Sequence, residues 1–447
     1  MKVKYIKSSC VVVESNGLKI LTDPWLVDGE YYGSWSHYPP LQINHDYFKK
    51  IDYIYISHIH PDHFSKKSLQ ILDKKIPVLI HEYATPFLKS NIESLGFNVQ
   101  ELTHNKKTQL KNGVTIDILA ADNCNPELCS KFMGCGIIET KFKSTQIDSL
   151  SVISDGKYNI LNLNDCPFDL AQEAVNIVKR KYNKIDFLLV GYAGAGPYPQ
   201  CFELSDQERF KAESFKKNQF LNQGEKYIEL IRPDFYMPFA GTYTLTGSLS
   251  NMQNKRGVPE LEESLIYFKN SDKIDHNICK PILLNTYEYF NLETQKSSKD
   301  YIPIDLKKKQ QYINKVLSKR KLDYETDEIP SIDSILKLIP NSFLKMNLKR
   351  EEINFKSNTK VFIKLTNNQS IEIPFNGQKF KVIDNNELCE IESFVEYKLD
   401  LRLLKRILKG PKYAHWNNAE IGSHIKFRRI PNNFERGLYH CMNFFHC

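Results

Sequence analysis

The sequence lacks three features that would assign it to a simple class. No run approaches the roughly 18 to 20 uninterrupted apolar residues that span a bilayer, and no apolar stretch of signal-peptide type follows Met1. The ten cysteines include no C-x-x-C pair, which argues against a zinc ribbon or a disulfide framework. We therefore expect a soluble, cytoplasmic protein with reduced thiols and no membrane partner.

A strong excess of charge is also missing. There are 61 lysines and arginines against 53 aspartates and glutamates, which gives a net charge of +8. This balance does not favour nucleic acid as a partner. With 41% apolar residues the chain is not of the disordered type, and 447 residues are enough for two domains.

The order of apolar patterns predicts the fold. Two strand-like runs at 11–14 and 18–21 flank Asn16-Gly17, a strong hairpin signal. Strand and helix signals then alternate, with strands expected at 51–56, 114–120, 151–153, 158–161 and 186–190. From 202 to about 300 the pattern is polar and helical, with a loop expected at 237–243.

Beyond residue 330 the character changes. Alternation at 361–365 and 370–373 predicts strands, and 400–408 has the spacing of an amphipathic helix. We therefore predict a first domain at 1–320, a linker near 320–332, and a small C-terminal α+β domain at 330–447.

The segment His58-Ile59-His60-Pro61-Asp62-His63 carries the densest set of metal-binding residue types. It follows the apolar run 51–56 and precedes a helical pattern, so it is predicted to form a turn at the carboxyl end of a strand. Imidazole and carboxylate groups suit zinc, iron or manganese. The alternative, three surface histidines beside a helix cap, accounts less well for four such residues within six positions.

The H-x-H-x-D-H motif, preceded by a hairpin that ends in Asp23-Pro24, resembles the metallo-β-lactamase superfamily. The resemblance implies an α/β fold, the αββα sandwich, with one or two metal ions at its edge. It implies Asp122 and Asp165 as further metal ligands, because each follows a predicted strand where the family supplies a ligand; a turn or capping role is the alternative for both. It also implies that Asp23 supports the site by hydrogen bonding, and it aligns Ala240, which cannot bind metal, with the family's last histidine.

A second resemblance covers most of the chain. Segments such as GSWSHYPP, ADNCNPELCSKFMGCG, LNLNDCPFD, MPFAGTYTLTG and AHWNNAEIGSHIKFRRIPNNFERGLYHCMNFFH are similar to the CMP-N-acetylneuraminate hydroxylase family. This resemblance implies a non-haem iron-dependent monooxygenase that hydroxylates a nucleotide-linked sugar or a related small molecule. Those hydroxylases begin with a Rieske iron–sulfur domain, and no C-x-H…C-x-x-H pair precedes the first strand here, so we expect electrons from a separate donor protein.

The hydroxylase resemblance also implies roles for the metal-binding residues. His58 and His60 with Asp122 would give two imidazoles and one carboxylate, the set associated with oxygen-activating non-haem iron. Asp62, His63 and Asp165 would hold a second iron or support the first, and Asp62 and His63 are the expected catalytic residues. The expected cofactor is one or two iron ions, with zinc or manganese as the alternative.

Candidate substrate-binding residues come from two aromatic segments, and a structural role is an equal alternative for each of them. They are Trp35, His37, Tyr38, Trp416, Asn417, Glu420, His424 and Arg428. Two other functions stay open from the sequence: a zinc-dependent hydrolase of a phosphodiester, lactone or amide, and a non-catalytic binder that keeps the fold.

Overall fold

Strands and helices alternate along the computed structural model, which describes residues 1–83, 85–121, 148–241, 243–384 and 391–447. The strands are β1 (Lys2–Lys7), β2 (Cys10–Ser15), β3 (Leu18–Thr22), β4 (Trp35–Ser36), β5 (Tyr53–Tyr55), β6 (Val78–His81), β7 (Val99–Leu102), β8 (Thr108–Gln109), β9 (Thr115–Ala120), β10 (Ser149–Ser154), β11 (Asn159–Asn162), β12 (Phe187–Gly191), β13 (Phe235–Phe239), β14 (Thr244–Leu245), β15 (Lys280–Pro281), β16 (Tyr289–Asn291), β17 (Lys296–Ser297), β18 (Ser357–Lys364), β19 (Gln369–Phe375), β20 (Lys381–Asp384), β21 (Phe394–Lys398) and β22 (Lys426–Ile430).

The described α-helices are α1 (His45–Phe48), α2 (Lys66–Gln70), α3 (Phe87–Glu93), α4 (Phe168–Lys181), α5 (Asp206–Ile231), α6 (Leu261–Lys269), α7 (Leu306–Lys315), α8 (Ile332–Leu336), α9 (Ile339–Glu352), α10 (Leu401–Leu408), α11 (Trp416–Ile421) and α12 (Arg436–Met442). Of these helices, none combines the length and the apolar character needed to cross a membrane.

Two sheets form the centre of the fold. The first has the order β17-β16-β1-β2-β3-β5-β6-β7, and the second has the order β15-β13-β12-β11-β10-β9-β8. One apolar cluster fills the space between them, with Val13 of β2 and Ile118 of β9 among its buried members. Helices α1 to α3 cover the outer face of the first sheet, and helices α4 to α6 cover that of the second. The predicted αββα sandwich is confirmed.

The first hairpin follows its sequence signal. Ser15 pairs with Leu18, and the two residues between them, Asn16 and Gly17, have φ angles of 51° and 78°. Positive φ at both loop positions is the requirement of the tight turn that matches strand twist, and Asn-Gly meets it at low cost. Strand β3 ends at Thr22, just before Asp23-Pro24, as predicted.

The predicted loop at 237–243 is partly wrong. Residues Phe235–Phe239 form strand β13, which lies parallel to β12 from Phe187 to Gly191. Proline is disfavoured inside a sheet because it cannot donate to the ladder. Pro238 is accommodated because β15 pairs with β13 only at Phe235 and Tyr236, so this part of the strand has a neighbour on one side alone.

A third sheet, β20-β19-β18-β21-β22, lies in the C-terminal part of the chain. It confirms the strands predicted at 361–365 and 370–373. Helix α10 confirms the helix predicted at 400–408, and the Asp400 side chain accepts a hydrogen bond from the Arg402 backbone N–H. The apolar cluster under this sheet also contains Trp25, Trp35 and Tyr324. Residues of the predicted linker are therefore buried against it, and the division at 320–330 stays a prediction.

Candidate metal centre

The H-x-H-x-D-H segment lies in a turn after β5, as expected. Strand β5 runs parallel to β3 and β6 in the first sheet. Beyond it, the backbone N–H groups of His63 and Phe64 both donate to the carbonyl of His60, at 3.0 and 2.7 Å. This tight turn brings side chains that are adjacent in sequence to one point at the edge of the sandwich.

A first donor group consists of His58, His60 and Asp148. His58 Nε2 lies 3.0 Å from His60 Nδ1 and 3.8 Å from Asp148 Oδ1, and one ligand atom from each residue lies within 4.8 Å of the others. Donor atoms that share a tetrahedral ion at about 2.1 Å lie about 3.4 Å apart. Two imidazoles and one carboxylate at these distances fit a divalent transition-metal ion.

A second donor group surrounds His63. Its Nε2 lies 3.3 Å from Asp165 Oδ2 and 3.5 Å from Asp62 Oδ2. The rings of His58 and His63 have centroids 4.1 Å apart, and His58, His63 and Asp165 also qualify together as a ligand set. The two donor groups are therefore adjacent, an arrangement that suits two neighbouring ions.

Asp23 holds the start and the end of the turn through its carboxylate. Its Oδ1 accepts from the Ser57 backbone N–H at 2.7 Å, and its Oδ2 accepts from the Ser57 hydroxyl at 2.7 Å. His63 Nδ1 lies 2.9 Å from the same Oδ2, so this nitrogen donates and Nε2 is left to face the second group. These contacts match the hydrogen bonding expected of Asp23; its effect on metal binding stays a prediction.

Burial and crowded charge shift the pKa values in this centre. Burial lowers the pKa of His58 well below its ordinary value, and the neighbouring imidazoles of His63 and His60 add to the effect. Burial lowers the pKa of His60 to about 4, so both imidazoles are neutral at pH 7, the form that binds metal. Burial, with the nearby Asp165, raises the pKa of Asp148 to about 7.

The pKa of His63 is shifted in the opposite direction. Burial alone would lower its pKa, but the carboxylates of Asp165, Asp62 and Asp23 raise it well above the ordinary value. Three carboxylates around one buried imidazole concentrate negative charge at this point. A divalent cation would neutralise that charge, and the residues present therefore fit a second ion as well.

Asp122 lies outside the described residues. The structure brings Asp148 to the place where the sequence predicted a carboxylate beside His58 and His60. Asp148 directly precedes β10, which runs antiparallel to β9 with Ser149 opposite Ala120. The start of β10 and the end of β9 therefore share one edge of the sheet, whereas the further ligands predicted from the sequence all follow strands.

The early aromatic candidates are held by contacts to residues outside the two donor groups. Trp35 is buried and stacks on Tyr243 with centroids 3.6 Å apart. The ring and the backbone N–H of His37 both bond Asp28. Tyr38 is half-buried near Tyr312. Their substrate-binding role stays a prediction, and the contacts of Trp35 and His37 also serve packing.

One early residue that the sequence did not indicate does reach the centre. The Tyr31 hydroxyl donates to Asp62 Oδ1 at 2.6 Å. Tyr31 has a φ of 48° and lies in the loop before β4. Neither the aromatic residue type nor its distance of 31 positions from Asp62 gives a sequence signal for this contact.

The late candidates differ in position. Asn417 reaches the centre, with Nδ2 3.3 Å from His60 Nε2. Trp416 is buried and donates from Nε1 to the Phe445 carbonyl at 2.9 Å, and His424 Nε2 lies 2.7 Å from the Tyr31 carbonyl. Two further candidates lie apart from these contacts: Glu420, whose pKa burial raises to about 8, and Arg428, which is exposed on β22 over the ring of Phe394.

Ala240 directly follows β13. Its backbone N–H donates to the Ser8 carbonyl at 3.2 Å, and its methyl side chain offers no ligand atom. Among the residues that the structure describes, the candidate carboxylate donors are Asp62, Asp148 and Asp165, and the candidate imidazole donors all come from the 58–63 turn.

Comparison with known proteins bears on the family and the fold. Residues 2–125 match the family model described as "Beta-lactamase superfamily domain". Over 248 residues the chain is 27% identical to a Mycolicibacterium smegmatis protein whose name assigns it provisionally to the Rieske 2Fe-2S iron-sulfur proteins, covering 54% of this chain and 43% of that one. Over 255 residues it is 26% identical to the cytidine monophosphate-N-acetylneuraminic acid hydroxylase of Danio rerio, covering 54% and 38%.

The chain thus spans less than half the length of these curated relatives. Among solved structures, it is similar to an isothiocyanate hydrolase from Delia radicum gut bacteria, with a TM-score of 0.44 and 13% identity over 65% of this chain and 99% of that one. Hydrolase and hydroxylase are the two enzyme classes among these similar proteins. Residues 2–125 match the beta-lactamase superfamily, and the chain has the metallo-β-lactamase type of α/β fold with a candidate metal centre.

Proposed function

We propose that this chain is a non-haem iron-dependent monooxygenase that hydroxylates a nucleotide-linked sugar or a related small molecule. The observation that carries the proposal is the first donor group, with two imidazoles from His58 and His60 and one carboxylate from Asp148. Two histidines and one carboxylate with open positions form the ligand set of oxygen-activating non-haem iron, and two histidines with one glutamate also form the zinc site of some hydrolases. The 26% identity to the Danio rerio hydroxylase supports the oxygenase class.

Each residue has a defined part in this proposal. His58, His60 and Asp148 would hold the first ion, and His63, Asp62 and Asp165 would hold the second. Iron, when bound, supplies the activation of dioxygen. Asp23 and Tyr31 keep His63 and Asp62 in place through the hydrogen bonds described above.

Hydroxylation of a C–H bond consumes dioxygen, two electrons and two protons, and it yields the C–OH product and water. The electrons must come from a donor, and we propose a separate iron–sulfur protein, because the first of the curated relatives above bears a Rieske-type name. We also propose that the protein is cytoplasmic, as the sequence predicts.

The test is metal analysis and oxygen uptake of anaerobically purified protein. We expect two iron ions per chain, and iron-dependent oxygen consumption with a reduced iron–sulfur donor and CMP-N-acetylneuraminate as the first substrate. His60→Ala should lose at least about 100-fold in this rate because a ligand is removed, and the exposed His45→Ala is the matched control. Protein that holds only zinc and shows no iron-dependent oxygen uptake would contradict the proposal.

A second candidate is a zinc- or manganese-dependent hydrolase of a phosphodiester, lactone or amide. It is favoured by the intact H-x-H-x-D-H turn, whose four metal-binding side chains all face the centre. A metal ion in such a site lowers the pKa of bound water and so supplies the nucleophile for hydrolysis. Turnover of a hydrolase substrate panel by zinc-loaded protein, abolished in His60→Ala, would favour this candidate over the oxygenase.

A further inference from the structure

The candidate metal centre includes a contact from the far end of the chain. Asn417 lies on α11, 357 positions after His60, and its side-chain amide is 3.3 Å from the outer nitrogen of His60. The other nitrogen of His60, Nδ1, faces His58 Nε2 and the first donor group. Asn417 therefore contacts His60 on the side of the ring opposite the first donor group.

Helix α11 holds Asn417 firmly in this position. Trp416 is fully buried, and its indole N–H is bonded to the Phe445 carbonyl. The His415 side chain caps the helix by accepting from the Asn417 backbone N–H at 3.2 Å, and the His415 backbone N–H donates to the Tyr32 hydroxyl at 2.7 Å. The amide of Asn417 thus projects from a short helix that is anchored on both sides.

The hydrogen bonds through this centre have one consistent direction. The Asn417 amide donates to His60 Nε2, His60 Nδ1 donates to His58 Nε2 at 3.0 Å, and His58 Nδ1 donates to the Ser57 hydroxyl at 2.9 Å. That hydroxyl donates to Asp23 at 2.7 Å. Each donor in this series of hydrogen bonds has an acceptor, so the series fixes the tautomers of His58 and His60.

An ion in the first donor group would change the partner that His60 needs. If Nδ1 binds the ion, Nε2 carries the proton and requires an acceptor. The side-chain amide of asparagine carries a donor on one side and an acceptor on the other, so a half-turn of the Asn417 amide presents Oδ1 to the same nitrogen. Asparagine can therefore satisfy His60 both with and without the ion.

We propose that Asn417 is a positioning residue of the metal centre, which orients His60 through its outer nitrogen and so makes the C-terminal segment 415–424 part of the metal site. The inference rests on the proposed metal site. It assigns Asn417 a contact with a metal ligand in place of the substrate-binding role expected from the sequence. The same segment supports the second donor group indirectly, since His424 bonds the Tyr31 carbonyl and the Tyr31 hydroxyl bonds Asp62.

The test compares three asparagine variants by cobalt(II) titration of metal-free protein, followed by absorption spectroscopy and chelator competition. Asn417→Leu keeps the shape of the side chain and removes its hydrogen-bonding atoms, and we expect about 10- to 100-fold weaker binding at the first site. Asn417→Asp supplies an acceptor of the same shape, and we expect binding within about 3-fold of wild type, because a carboxylate is a common partner of a metal-bound histidine. Asn277→Ala, at an exposed asparagine, is the control.

His60→Ala separates failure of this inference from failure of the proposed site. If His60→Ala loses the first cobalt ion and Asn417→Leu binds like wild type, the positioning role is wrong. Equal loss in Asn417→Leu and Asn417→Asp would also overturn it, because an acceptor should restore binding. If wild type and His60→Ala bind cobalt equally, the proposed metal site itself is wrong. Should Asn417→Leu fail to fold, the affinity of the isosteric Asn417→Asp still decides, since a loss of 10-fold or more contradicts the proposal.

Discussion

Two regions meet at the candidate metal centre, and they differ in how they contribute. The turn at 58–63 supplies four metal-binding side chains from six consecutive residues, and its own backbone hydrogen bonds bring them together. The segment 415–424 supplies one side chain that touches a donor, Asn417, and it depends on the fold of the whole chain to reach the site. Candidate metal-binding side chains can thus come from one short segment, whereas a contact that orients them comes from a residue far away in the sequence.

The largest expected effect tests whether the 58–63 turn can bind metal without the carboxylate that Asp148 supplies from the edge of the second sheet. Asp148→Ala removes the carboxylate of the first donor group, and we expect metal affinity at this site to fall by more than the roughly 100-fold that loss of an outer partner costs. Metal titration of the purified variant measures it. Asp52→Ala is unsuitable as a control because Asp52 bonds the Lys19 backbone, so the exposed Asp272→Ala is used. Unchanged affinity would mean that the turn binds metal without Asp148.

An intermediate effect concerns Lys7, which is buried near Asp28 of the segment that precedes β4. Burial lowers the pKa of Lys7 to about 8, and Asp28 opposes this only in part. Between pH 8 and the unfolded value of 10.5 the unfolded chain holds the proton that the folded chain has released, so the free energy of unfolding rises with pH in this window.

Lys7→Met should abolish this rise, which amounts to at most about 3 kcal/mol. Urea unfolding of wild type and variant at pH 7, 9 and 10.5 measures the difference, with the exposed Lys50→Met as control. If the free energy of unfolding of wild type and of Lys7→Met changes with pH in parallel, the Lys7 ammonium group is not buried as described.

The smallest effect tests the indirect link from the late segment to the second donor group. Tyr31→Phe removes the hydrogen bond to Asp62 and leaves the aromatic packing, so we expect about 10-fold weaker binding of the second ion and little change at the first. Stepwise metal titration separates the two sites, and the exposed Tyr413→Phe is the control. Equal weakening at both sites would contradict the division into two donor groups.

Local patterns made much of the fold predictable. Asn16-Gly17, the strand ends at Asp23-Pro24 and the capped helix after Asp400 each depend on neighbouring residues, and each was confirmed. Strand β13 was missed because Pro238 reads as a strand breaker in isolation. Only the pairing of β13 with its neighbours shows that the proline lies where the ladder is open.

The candidate site was likewise predictable only where its residues follow local sequence signals. The 58–63 turn and Asp165 were singled out because they follow strand signals, and the structure brings them together, while their role as metal ligands stays a prediction. Asp148 was missed because its place depends on β10 running antiparallel to β9, and Tyr31 was missed because the fold of a loop brings its hydroxyl to Asp62. Such contacts arise from the arrangement of elements in space, which one sequence without its pairing does not contain.

The position of Asn417 has a consequence for the order of events during protein synthesis. Ribosomes add about 5 to 20 residues per second, so the 357 positions between His60 and Asn417 correspond to roughly 20 to 70 seconds. During that interval the residues of the 58–63 turn have been joined to the chain while Asn417 has not. The 58–63 turn therefore exists for tens of seconds before the side chain that contacts His60 in the folded chain has been made.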